Sequence, residues 1–265
     1  MIIVLLYLAV GALTGLLSGL LGVGGGVVIV PAFVWIFHWI GVPLALSMHF
    51  AIAGSLAVMA ITSMMSCYAH YRRGNVKFSL VKKLLPGMIF GVLVGSSLAA
   101  VTKPAILEML FGALLLIISV RLFFAREKSA EAGGQEHLPG WLILFLIMLL
   151  VGICSGLLGV GGGVLIIPLL TAFGVGMHKA AGTSASLIIP VALFGTLNFL
   201  MVGLHDQVSF VHATGYLYWP AIAWTIVGGL IFAPIGTALG ARFKSVALKK
   251  IYAVLLFMIG LQFLL

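Results

Sequence analysis

The residues best placed to do chemistry in this chain are glycines. Residues 18–27 read SGLLGVGGGV, and the same ten letters return at residues 155–164. Each copy sets four glycines in five positions: Gly22, Gly24, Gly25 and Gly26 in the first, Gly159, Gly161, Gly162 and Gly163 in the second. Each glycine costs about 1 kcal/mol relative to alanine inside a helix, so a continuous helix is disfavoured there. A helix that restarts at Val27 leaves several N–H groups unpaired in its first turn. Those groups and the helix dipole attract an anion, and bare glycine lets the anion reach the backbone. Two soluble readings fail. The G-x-G-x-x-G fingerprint has Val27 at its sixth place, and the phosphate-binding loop lacks its lysine. An alternative is that the glycines serve only packing or a hinge. Isolated glycines such as Gly11, Gly15, Gly19, Gly91 and Gly95 read as packing positions.

A second constellation is hydroxylic. Ser55 follows the first glycine run, and Thr183 and Ser184 follow the second. Each is expected at the start of an apolar segment, where it caps a helix or donates to a bound oxyanion. Thr62, Ser63, Ser66, Thr196 and Asn198 lie deeper and read as interhelical glue, with Asn198 the best candidate to line a pathway. Cys67 and Cys154 fall inside apolar runs and read as small buried residues. His49, His70 and His178 stand at segment ends. Asp206 is the only aspartate, and the sequence holds no Ser-His-Asp grouping, paired carboxylates or metal-ligand spacing. An enzyme is therefore not expected, and no cofactor or metal is called for.

The elements that must position these residues are membrane helices. The chain has 265 residues, 63% of them hydrophobic and only 7% charged, with a mean hydropathy of +1.31. A soluble domain is about 25% charged, so this chain cannot coat a soluble globule. Apolar stretches near the roughly 20 residues needed to cross a bilayer recur, and they are continuous rather than alternating, which excludes a β-barrel. The net charge of +9 would suggest nucleic acid in a soluble protein. Here the basic residues sit in short loops and read as topology signals, and nucleic acid is not an expected partner.

The fold expected is an all-α polytopic membrane protein built from two repeats, residues 1–124 and 140–265, joined by a cytoplasmic linker over 125–139. The repeat extends beyond the decapeptide. VVIVPAF (27–33) parallels VLIIPLL (164–170), and Ser55 falls opposite Ser184. Each repeat holds five segments, near 2–21, 25–40, 47–70, 79–101 and 104–124, then 140–158, 162–176, 181–204, 214–240 and 245–265. The second of each five is short, a broken or re-entrant helix. An odd number per repeat inverts the second copy relative to the first. The loop after the third segment carries Arg72, Arg73, Lys77, Lys82 and Lys83, while its counterpart at 203–215 has no Lys or Arg. With both termini outside, only Lys103 of the 14 basic residues falls outside, as the positive-inside rule requires.

The doubled GLLGVGGGV followed by proline, AGTSA (181–185) and TSMMS…AHYRRGNV (62–76) resemble the TauE/SafE family of sulfite and organosulfonate exporters over nearly the whole chain. At Ala53–Gly54–Ser55 this sequence departs from the Gly-Thr-Ser such proteins often carry, which leaves Ser55 as the single first-copy hydroxyl. The resemblance implies a multi-pass transporter of the bacterial inner membrane that moves small sulfur-containing anions. Combined with the glycine runs, the expectation is an anion exporter working by alternating access. Its site would comprise the eight glycines above, Ser55, Thr183, Ser184 and Asn198. Its partners would be a small anion and the lipid bilayer. The alternative is a membrane scaffold or assembly factor that uses its glycines for packing alone.

Overall fold

The computed structural model describes residues 1–21, 24–124, 137–240 and 245–264. The fold is all-α and polytopic. Ten helices appear among the described residues: α1 (Ile2–Leu21), α2 (Gly26–Trp39), α3 (Leu44–Arg72), α4 (Phe78–Val101), α5 (Pro104–Phe124), α6 (Trp141–Leu158), α7 (Gly163–Ala172), α8 (Met177–His205), α9 (Trp219–Gly240) and α10 (Ser245–Gln262). A two-stranded antiparallel hairpin, β1 (Ala213–Thr214) and β2 (Leu217–Tyr218), leads into α9. Seven helices among the described residues are long and apolar enough to cross a membrane. α2 and α7, at 14 and 10 residues, reach only ~21 and ~15 Å, short of a hydrocarbon core about 30 Å thick.

Backbone chemistry sets the breaks. Gly25 and Gly162 precede α2 and α7 with nearly the same left-handed conformation, φ 75° and ψ −19° against φ 75° and ψ −16°. An L side chain there would clash with the neighbouring carbonyl, at a cost of roughly 1–2 kcal/mol. Proline then occupies the sixth position of both helices, as Pro31 and Pro168. The third helix of each set begins earlier than hydropathy suggests. α3 starts at Leu44 behind Pro43, and α8 at Met177 behind Gly176. The proline's fixed φ is preorganised for a helix entry.

Packing follows a pattern that survives exchange of α1–α5 with α6–α10. α1 lies along α9 and α6 along α4; α3 packs on α8 and α5 on α10; α3 also meets α9 as α8 meets α4. The α1–α9 and α4–α6 seams are glycine seams. A methyl group at Gly15 would lie 2.6 Å from the Gly229 carbonyl oxygen, and one at Gly152 would lie 2.5 Å from the Met88 carbonyl oxygen. Gly11 faces α9 and Gly91 and Gly95 face α6 in the same way, so these glycines are packing positions, as their spacing suggested. The core is centred on α3. Met48 through Ala60 are all buried, and the short helix α2 is buried from Gly26 to Pro31.

A candidate anion site at two glycine turns

The two glycine turns meet. A methyl group at Gly26 would stand 2.5 Å from the Gly159 carbonyl oxygen and 2.8 Å from Met59 Cε. One at Gly24 would touch Ile188 Cδ1 at 3.1 Å, with Met59 Sδ beyond, and one at Gly161 would touch Met59 Sδ at 2.8 Å. Met59 of α3 and Ile188 of α8 therefore fill the space between the turns, and only glycine fits against them. Gly24, Gly25, Gly26, Gly159, Gly161, Gly162 and Gly163 are all buried. Gly22 lies outside the described residues.

Among the described residues the two turns differ in one backbone hydrogen bond, and Gly25 and Val27 of the first also meet no backbone acceptor. In the first, the Gly26 N–H donates to the Gly24 carbonyl at 3.0 Å, and Val28 and Ile29 donate to Gly25. In the second, Leu165 and Ile166 donate to Gly162. Among the described residues, no backbone acceptor meets the N–H groups of Gly161, Gly162, Gly163 and Val164. A run of unpaired donors at a helix start, in a site sealed from water, suits an oxyanion without any fixed charge.

The hydroxyl residues sit elsewhere than expected. Because α3 and α8 start early, Ser55, Thr183 and Ser184 lie inside the helices and cap nothing; the caps are Pro43 and Gly176. Ser55 lies eleven residues into α3, and its Oγ donates to the Gly159 carbonyl at 2.7 Å. It ties α3 to the second glycine turn and spends its only proton there. Thr183 Oγ1 accepts from the Lys77 N–H at 3.2 Å, fastening α8 to the loop before α4. Ser184 is fully buried and has no hydrogen-bond partner. Asn198 is half-buried and its Nδ2 lies 2.8 Å from Ser96 Oγ and 2.9 Å from Ser97 Oγ. Asn198 thus joins α8 to α4. Cys67 and Cys154 are free thiols, and Cys67 Sγ lies 3.2 Å from Ser186 Oγ.

Sequence reasoning did not single out Met59 or Ile188. Their signal was spacing, since each follows a site hydroxyl, Ser55 or Ser184, by four residues, one helical turn on the same face. His49 was also underestimated. It is buried, with Nδ1 3.1 Å from the Ala45 carbonyl and Nε2 3.0 Å from the Ala99 carbonyl. Its ring stacks on Tyr216 at 5.3 Å, and Tyr216 donates to Asp206 Oδ2 at 3.0 Å. Burial, then the bond to Asp206, push the Tyr216 hydroxyl up to about 12, so it stays a donor. Around His49, Phe37, Phe50, Phe210 and Tyr218 close one end of the molecule with edge and stacked ring contacts.

Buried broken helices held against each other, with seven helices among the described residues long and apolar enough to cross a bilayer, mark an integral membrane protein. The chain belongs to the sulfite exporter TauE/SafE family, which matches residues 7–263. It is 29% identical to a probable membrane transporter protein of Haemophilus influenzae, over 98% of this chain and 97% of that one. It is 30% identical to a probable membrane transporter protein of Xylella fastidiosa, covering 89% and 84% of the two chains. A probable membrane transporter protein of Methanocaldococcus jannaschii is 25% identical over 98% of this chain and 95% of its own. No solved structure matches the chain.

Proposed function

We propose that this protein is an inner-membrane transporter of a small anion, a sulfur oxyanion or organosulfonate. The anion would be held near the midplane between the starts of α2 and α7. The observation that carries this reading is the meeting of two glycine turns with a run of unpaired N–H groups at Gly161–Val164. Backbone amides on bare glycine can grip an oxyanion and still release it, where a buried lysine would hold it too tightly. The family name and the names of the relatives point the same way.

The exchange pattern of helix packing supports two repeats, residues 1–124 and 140–265; residues 125–136 of the expected cytoplasmic linker at 125–139 lie outside the described residues. The basic-loop count favours an inverted second repeat and both termini outside. Alternating access then rocks one set of helices against the other around the glycine turns. The buried turns described above correspond to an occluded site. An inside-negative potential is worth about 2.3 kcal/mol per charge per 100 mV, a roughly 50-fold gradient for a monovalent anion. Export therefore needs no coupling ion.

The test is flux from proteoliposomes loaded in turn with sulfite, thiosulfate, sulfoacetate and sulfate. At least one should leave the vesicles faster than from protein-free controls, and faster still at inside-negative potential. No flux of any of the four, from protein shown to be inserted and folded, would refute the reading.

A further inference from the structure

Seven buried side-chain polar atoms among the described residues have no hydrogen-bond partner. Tyr7 lies on α1 and Thr225 on α9, and Ser155 lies on α6, where its carbonyl accepts from the Gly159 N–H. The other four are gathered. Ser63 Oγ, Ser66 Oγ and His70 Nδ1 belong to α3, and Ser184 Oγ belongs to α8. Ser63 is 1% exposed, Ser66 3% and Ser184 0%.

Their spacing is informative. Met59, Ser63, Ser66 and His70 follow at intervals of four, three and four, which places them on one face of α3. Met59 is the residue wedged between the glycine turns. On α8, Ser184 stands one turn before Ile188, which fills the other side of that wedge. α3 and α8 run antiparallel, with Leu56 against Gly195 and Cys67 against Ser186. Moving forward from Met59 and backward from Ile188 therefore leads to the same end of the molecule. That end carries Arg72, Arg73, His178 and Lys179.

These hydroxyls had an easy alternative. A serine or threonine in a helix commonly bonds to the carbonyl one turn back. Thr62 does so to Val58, Ser186 to Gly182 and Thr196 to Ala192. Ser63, Ser66 and Ser184 do not. A buried polar group without a partner is costly, so its persistence in a cluster points to a partner that comes and goes.

We propose that Ser63, Ser66 and His70 of α3, with Ser184 of α8, line a hydrated oxyanion path from the glycine turns to the basic end of the molecule. The assignment rests on reading the glycine turns as the anion site. The hydroxyls donate to the anion without trapping it, and the cationic end concentrates anions at the mouth. His70 stands where the path meets that end.

The path is testable by thiol labelling of the full chain in liposomes, in a Cys67→Ala, Cys154→Ala background. Ser63→Cys and Ser66→Cys should react from the basic face with an anionic methanethiosulfonate about tenfold faster than with a cationic one of similar size. Sulfoacetate should slow the reaction. Ala53→Cys, equally buried but on the far side of Met59, should not react. The proposal is overturned if neither serine position labels in the time that the exposed Tyr71→Cys labels fully, or if both reagents react equally. Should a cysteine variant fail to insert, Ser63→Ala and Ser66→Ala decide. They should keep thermal stability and lower the rate of sulfoacetate binding by about fivefold or more, and unchanged binding kinetics in both would overturn the path. Labelling needs no turnover. Flux without labelling strikes the path alone, whereas labelling without flux of any anion strikes the transport reading.

Discussion

The two halves of α3 on either side of Met59 contrast sharply. Toward the hairpin, each polar side chain has a hydrogen-bond partner. Ser55 donates to Gly159, the His49 ring lies within reach of two carbonyls and donates to one of them in either neutral tautomer, and Phe50 stacks on Tyr218 with rings only 5° from parallel. Toward the basic end, Ser63 and Ser66 are buried and His70 is half-buried, each with a buried unmatched atom. One helix therefore carries a finished seal at one end and an unfinished polar lining at the other, with the glycine turns between. A satisfied network in a low-dielectric setting is rigid, and an unpaired buried polar group is costly unless a water or ion meets it. Under the proposed path, the hairpin side is the sealed end and the basic side the one that admits the anion.

The largest effect that would break this contrast is on the seal. Phe50→Ala removes a fully buried ring from among Phe37, Phe210 and Tyr218. Its loss should destabilise the protein by about 3–5 kcal/mol, read as thermal unfolding in detergent. A change below about 1 kcal/mol would mean the ring cluster is not a seal. His49→Leu comes next. It strips the link between α3 and the Ala99 carbonyl of α4, and about 1–3 kcal/mol should be lost in the same assay. The smallest effect sharpens the comparison by pH. Folded Tyr216 holds its proton to about 12, against 10.0 for a free tyrosine. The native state binds that proton more tightly, so its stabilising contribution is complete below pH 10.0 and is lost as pH rises toward about 12. Melting temperature should fall across that window, and Tyr216→Phe should make the fall shallower. An equally steep fall in the variant would show that Tyr216 is not the group whose titration drives it.

Much of this was legible in the sequence, because the bilayer restricts what an apolar run can be. Ten segments, two glycine breaks and the short second helix of each set follow from hydropathy and repeated letters. The hydroxyl positions were misjudged for a local reason. Hydropathy places the third segments at residues 47 and 181, but Pro43 and Gly176 allow the helices to begin at Leu44 and Met177, beyond the apolar run. Ser55 therefore lies at the level of the glycine turns rather than at a cap. Thr62 and Ser63 are adjacent hydroxyl residues and looked alike as interhelical glue. Only packing separates them, since Thr62 bonds back to Val58 and Ser63 bonds to nothing. His49 looked like a loop-end histidine because its partners, Ala99 and Tyr216, are 50 and 167 residues away. That information is tertiary and has no local signal.

The central claim is that the paired glycine turns hold an anion, and ligand-dependent stabilisation tests it without requiring transport. Wild-type protein in detergent should melt at a higher temperature as sulfite, thiosulfate or sulfoacetate is titrated in, with a shift that saturates. Gly25→Leu and Gly162→Leu, each at a buried turn held in a left-handed backbone, should still insert, melt at a lower temperature than wild type, and lose that shift. Gly41→Ala, at a turn with open space around it, should retain it. A saturating shift that survives in both leucine variants would contradict the account.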